Sequence, residues 1–171
     1  NSLIMVKAIY NDMLKALESV NGCLLTPKET PKLEAALWYK GHLNASMLAK
    51  PVSVMCELAG ITRTSACDAD FLMVEETGAG ADFPFSGEKM ALVLTLYRAQ
   101  DFDDAKKVAN TILNYQGKGH SLSLHSQSIE RAEVLGLEMP VCRVIVNQAH
   151  CFATGGSFDN GLPFSLSMGC G

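Results

Sequence analysis

The residues able to do chemistry are few and lie far apart in the chain. Glu88 closes a polar, Pro-containing turn, Asp82–Lys89, directly ahead of the apolar run Ala91–Tyr97. An acid at the mouth of a strand can hold a polar ligand, but taken alone Glu88 reads as a solvated turn residue. His120 follows Gly117-Lys118-Gly119 at the start of a short alternating segment. An imidazole there could serve as a general base, and a partly exposed edge histidine is an equal reading on local grounds. Asn147 ends the apolar run Val141–Val146. His150 and Cys151 are adjacent, but neighbours in an extended chain point to opposite sides, so they make a poor base–nucleophile pair. Cys170 stands between two glycines, where backbone could approach a ligand, and a lone Cys there reads as structural. The six cysteines have no CxxC pair and no zinc-type Cys/His spacing, so no metal is expected. Neither a Walker motif nor GxGxxG occurs, and Gly78-Ala79-Gly80 is too short for a phosphate loop.

These residues need elements to position them. Ala91–Tyr97 reads as a strand covered on both faces and the centre of a sheet. Ser2–Lys7 and Phe71–Val74 read as further strands. Ile9, Met13, Leu14, Leu17 and Val20 recur at helical spacing up to the stop at Asn21-Gly22. Thr26-Pro27 reads as the opening of a second helix carrying Leu33, Ala36, Leu37 and Trp38. Pro51–Leu58 predicts a third, ended by Gly60, and Ile61–Asp70 reads as irregular. Asp101 and Asp104 frame a helix start with the stripe Phe102, Ala105, Val108, Ala109, Ile112 and Leu113. His120–His125 and Val141–Val146 predict strands around a short helix closed by Gly136. Strand, helix, strand, helix, strand over Ala91–Asn147 predicts parallel pairing with right-handed crossovers, and ligands beyond the strands' C-terminal ends. The stretch from Gln148 onward shows no periodic element. The fold class is therefore α/β, a mostly parallel sheet flanked by helices.

Bulk properties narrow the function. The 171 residues are 48% hydrophobic and 19% charged, enough for one domain with a real core. A net charge of −4 argues against nucleic acid as a main partner. No apolar run approaches the ~20 residues that span a bilayer, and no signal peptide is evident. Cys56 and Cys142 lie in apolar segments and read as buried. A reducing, cytoplasmic setting is the expectation. The chain lacks an initiating Met and opens almost directly on a strand, which predicts a longer parent protein.

Several segments together resemble the CoA-acylating aldehyde dehydrogenases, including the aldehyde arm of bifunctional aldehyde–alcohol dehydrogenases. They are NGCLLTP (Asn21–Pro27), SGEKMALVLTLYR (Ser86–Arg98), YQGKGHSLSLHS (Tyr115–Ser126), CRVIVNQ (Cys142–Gln148) and FSLSMGCG (Phe164–Gly171). They follow the family's order over nearly the whole chain. The ending SFDNGLPFSLSMGCG is similar to the branch that includes sulfoacetaldehyde dehydrogenases.

The resemblance implies residues 1–171 of an aldehyde dehydrogenase-type catalytic domain, with a nucleotide-binding domain and the nucleophile segment upstream and a short tail downstream. In that family a Cys thiolate attacks the aldehyde, hydride passes to NAD or NADP, and the thioester is transferred to coenzyme A. By resemblance Glu88 contacts the nicotinamide ribose. His120 is the base for the coenzyme A thiol. Asn147 lines the pocket, and the loop from Phe158 to Phe164 forms the aldehyde-side wall. The chain departs from the pattern at Leu92, where the family has Pro, and none of its cysteines falls at the nucleophile position. The expected partners are a small-molecule aldehyde and further copies of the chain, with no nucleic acid or membrane. The setting is cytoplasmic or a bacterial microcompartment. The alternative, from another class, is a non-catalytic interaction or assembly module derived from the same family.

Overall fold

The computed structural model describes residues 2–157 and 161–164. The chain divides into two compact units, Asn1–Ala109 and Asn110–Gly171.

The first unit runs β1 (Ser2–Val6), α1 (Tyr10–Ser19), β2 (Gly22–Leu24), α2 (Thr30–Leu37), β3 (Trp38–Tyr39), β4 (His42–Leu43), α3 (Val52–Ala59), α4 (Thr64–Cys67), β5 (Phe71–Glu75) and β6 (Val93–Ala99). Its four-stranded sheet has the order β1-β6-β5-β2, and each neighbouring pair is parallel. The apolar run thus supplies a central strand, as its composition predicts. Alternation along the strands builds two cores. Leu72, Val74 and Val93 face a cluster with Leu33 and Leu37 of α2 and Val52, Met55 and Cys56 of α3. Met73 and Leu96 face the opposite cluster, with Met5, Tyr10 and partly buried Met13, Leu14 and Leu17 of α1.

Several local expectations change. Asn21-Gly22 does stop α1, but the next residues form β2, an edge strand pairing Gly22 with Phe71 and Leu24 with Met73. Three residues are too few for a periodic signal. The second helix starts at Thr30, not Thr26. The Thr26 N–H and hydroxyl both donate to Glu29 Oε2, at 2.8 and 2.9 Å, which closes a turn first. Glu29 is also gripped by Arg63, Nε to Oε1 at 2.9 Å and an outer nitrogen to Oε2 at 2.7 Å. Trp38 leaves the helix for a β3–β4 hairpin across left-handed Lys40 (φ 52°) and Gly41 (φ 78°), the geometry of a tight hairpin turn. Its ring meets Phe85 edge-on at 5.0 Å. The segment read as irregular contains α4.

Helix α5 (Phe102–Tyr115) contains the division between the units. Its start matches the expected capping pair: the Asp104 N–H donates to Asp101 Oδ1 at 2.9 Å and the Gln100 N–H to Asp104 Oδ2 at 2.8 Å. The second unit continues with β7 (Ser121–Leu124), α6 (Ile129–Glu138), β8 (Arg143–Val146) and α7 (His150–Ala153). Strands β7 and β8 are parallel, but they pair with each other in a separate two-stranded sheet. The parallel pairing expected holds for β7 and β8, with α6 between them in sequence, while β6 belongs to the other sheet. Helix α6 runs through Gly136, α7 forms where no element was expected, and Cys142 is exposed. No helix among the described residues is long and apolar enough to cross a membrane.

Candidate active site

Glu88 lies five residues before the first residue of β6. Parallel pairing sets Ser2 of β1 beside Thr95 of β6. The start of the chain and the approach to β6 therefore share the N-terminal edge of the sheet. This is the edge opposite to the one the general rule for open α/β sheets favours. The turn before Glu88 is tightly held. Residues Pro84–Ser86 make a single 3-10 turn. The Gly80 N–H donates to Ser86 Oγ at 3.0 Å, and the Tyr97 hydroxyl donates to the Gly78 carbonyl at 3.0 Å.

The Glu88 side chain is exposed. Oε1 accepts the N–H of Lys89 at 2.8 Å and of Met90 at 2.9 Å. Partial desolvation pushes its pKa up, but the Met90 and Lys89 amides outweigh this and hold it below the usual value. The acid is a charged acceptor at neutral pH.

Lys89 was not foreseen. It is 0% exposed, and its ammonium donates to the Phe85 carbonyl at 2.7 Å and the Gly87 carbonyl at 2.9 Å. Thr95 Oγ1 donates to the same Phe85 carbonyl at 2.7 Å. Burial pushes the Lys89 pKa down to about 8, opposed by the charge of Glu88. A lysine in a polar turn carries no sequence signal of burial. Only the folding of Phe85, Ser86 and Gly87 around it creates the site.

In the second unit His120 immediately precedes β7. Its imidazole is exposed. Its backbone is fixed: the N–H donates to the Gly117 carbonyl at 3.0 Å, and the carbonyl accepts the Cys142 N–H at 2.8 Å. Asn147 immediately follows β8, with φ at 53°. Its side chain closes a ring on one residue, Nδ2 to the Ser126 carbonyl at 2.8 Å and the Ser126 N–H to Oδ1 at 2.9 Å. Ser121 pairs with Arg143 and Leu124 with Val146 in parallel. His120 and Asn147 therefore stand at opposite ends of the β7–β8 ladder, and the structure does not bring them together.

What gathers beside His120 is a different group. His150 bridges Ser121 and Ser123, with Nε2 2.6 Å from Ser121 Oγ and Nδ1 on Ser123 Oγ. Thr154 Oγ1 donates to Ser121 Oγ at 3.0 Å, and Arg143 donates to the Thr154 carbonyl at 2.8 Å. Burial lowers the His150 pKa. His150 is a poor partner for Cys151, as expected, yet it is not idle. Ser121 and Ser123 share one face of β7, and that polar face was the available signal. Phe158 and Cys170 lie outside the described residues.

Among the described cysteines, burial pushes the Cys56 thiol up to about 12, and Cys23 is buried against Arg63. The described residues contain no group of three or more His, Cys, Asp or Glu that could hold a metal ion.

No protein-family profile matches the chain. Similarity to individual proteins is strong. The chain is 55% identical over 171 residues to an acylating sulfoacetaldehyde dehydrogenase of Cupriavidus necator, covering 100% of this chain and 35% of that protein. It is 34% identical over 177 residues to its namesake in Bilophila wadsworthia, covering 100% of this chain and 38% of that protein. Among solved structures, an acetylating aldehyde dehydrogenase from Geobacillus thermoglucosidasius superposes with a TM-score of 0.83 at 28% identity, over 88% of this chain and 33% of that one. The chain spans about a third of the length of the relatives it matches. The resemblance read from the motifs holds: the chain is homologous to one stretch of the acylating aldehyde dehydrogenases and shares the fold of that stretch.

Proposed function

We propose, from that homology, that the chain forms much of the catalytic domain of an oxidoreductase that converts an aldehyde to an acyl-CoA through a Cys thioester. The 55% identity over all 171 residues of this chain to one stretch of an acylating sulfoacetaldehyde dehydrogenase supports this reading. It also makes a sulfonated aldehyde the first substrate to try. The nucleophile lies on residues beyond this chain.

Glu88 is the dinucleotide-side residue. A carboxylate ionised by two backbone amides and exposed at the sheet edge is suited to accept hydrogen bonds from ribose hydroxyls, so the residue fits the group. NAD or NADP, when bound, supplies the hydride acceptor. His120 is the thiol-side residue: its fixed backbone and exposed ring support a base that takes the proton from the coenzyme A thiol. Asn147 shapes the pocket through the Ser126 loop it ties down. Phe158 is assigned to the aldehyde wall by resemblance alone. The parent is an oligomer, working in the cytoplasm or in a microcompartment.

The test is turnover by the full-length parent, followed by nicotinamide absorbance with a panel of aldehydes, sulfoacetaldehyde included. Sustained reduction that requires coenzyme A is the expected outcome. A folded parent that turns over no aldehyde would instead support the interaction module.

A further inference from the structure

Lys89 is fully buried and takes no part in the chemistry above. A buried ammonium is costly unless its donors are used. Here two backbone carbonyls, Phe85 and Gly87, receive them at 2.7 and 2.9 Å. These carbonyls bracket the turn whose next residue is Glu88. The Phe85 carbonyl is additionally held by Thr95 of β6, which ties the turn to the central strand. The Lys89 backbone N–H in turn donates to the Glu88 carboxylate at 2.8 Å. One residue therefore grips the turn from inside and orients the acid from its own amide.

Resting on the assignment of Glu88 to the dinucleotide, we propose that Lys89 is a positioning residue. By clamping the Phe85 and Gly87 carbonyls it fixes the turn that presents the Glu88 carboxylate at the sheet edge to the nicotinamide ribose. A methionine would fill the same volume, leave the Gly87 carbonyl without its ammonium donor and leave the Phe85 carbonyl to Thr95 alone. The turn would then relax, and the carboxylate would lose its fixed position while remaining ionised.

The experiment uses the full-length parent and titration calorimetry with NAD and NADP, compared across Lys89→Met, Glu88→Gln, the double variant and Arg63→Met. The last breaks the remote Glu29–Arg63 pair and controls for lost stability. Misplacing a binding group by a fraction of an ångström is expected to weaken dinucleotide affinity by about tenfold or more in Lys89→Met. Acyl transfer from a pre-acylated enzyme to coenzyme A, which consumes no dinucleotide, should be unaffected. The double variant should bind no worse than Glu88→Gln, because both act through one carboxylate. Arg63→Met should melt earlier with unchanged affinity. If Lys89→Met does not fold, Lys89→Gln, which keeps one donor group, carries the same comparison. Losses that add in the double variant, or an affinity unchanged in Lys89→Met while Glu88→Gln is weak, would overturn the positioning role alone. Unchanged affinity in Glu88→Gln would overturn the dinucleotide assignment itself.

Discussion

At the scale of single residues, the ionised forms are set by specific donors. Arg63 is the clearest case after Glu88. Its guanidinium, the largest cause, holds Glu29 down to about 2, against a smaller push from burial. The Glu29 and Arg63 side chains are 12% and 34% exposed. A folded pKa below the unfolded value gives stability that is complete above about pH 4.5 and is lost as pH falls toward 2. After allowing for screening on the Arg63 side, the contribution is about 2 kcal/mol. The urea midpoint of the wild-type chain should therefore fall more between pH 6 and pH 3 than that of Glu29→Gln. Parallel pH profiles would contradict the pairing. Residue type and setting marked Glu88 and His120 as candidates only, each with an ordinary surface reading beside it, and their proposed roles come from the resemblance to the family. Lys89 and His150 were invisible or discounted. Their roles depend on carbonyls and hydroxyls that only tertiary folding delivers.

At the scale of elements, long apolar runs declared themselves and short pieces did not. The seven-residue β6 and the capped start of α5 follow directly from composition and side-chain hydrogen bonding. Strand β2 does not, since three residues at an edge carry no period. It exists because Gly22 lets the neighbouring strand approach. A Cβ there would meet the Phe71 ring at 2.5 Å and the Leu17 carbonyl at 2.8 Å. Gly22→Ala should cost roughly 1–3 kcal/mol, read as a lower denaturant midpoint, with partial recovery when Phe71→Leu makes room. A wild-type midpoint in Gly22→Ala would mean β2 is not packed this way. The parallel sheet expected over Ala91–Asn147 was read one sheet too few, because periodicity identifies strands but not their neighbours.

At the scale of the whole molecule, each unit exposes large apolar side chains. Met90 and Leu92 are 59% and 47% exposed in the first, and Leu137 and Phe152 are 88% and 82% exposed in the second. Such surfaces are expected to be covered in the parent and to make the isolated chain self-associate. Sedimentation velocity over a concentration series should show association that rises with protein concentration. A monomer throughout would argue against it. In the proposed reaction Glu88 serves the dinucleotide and His120 serves the thiol. The most direct test of this division is rapid-mixing kinetics on the full-length parent, with the first nicotinamide turnover and the coenzyme A-dependent steady state measured separately. His120→Ala should keep the first turnover and lose the steady state by about a hundredfold or more, whereas Glu88→Gln should slow the first turnover itself. Equal losses of both phases in His120→Ala, or an undiminished steady state, would contradict the assignment.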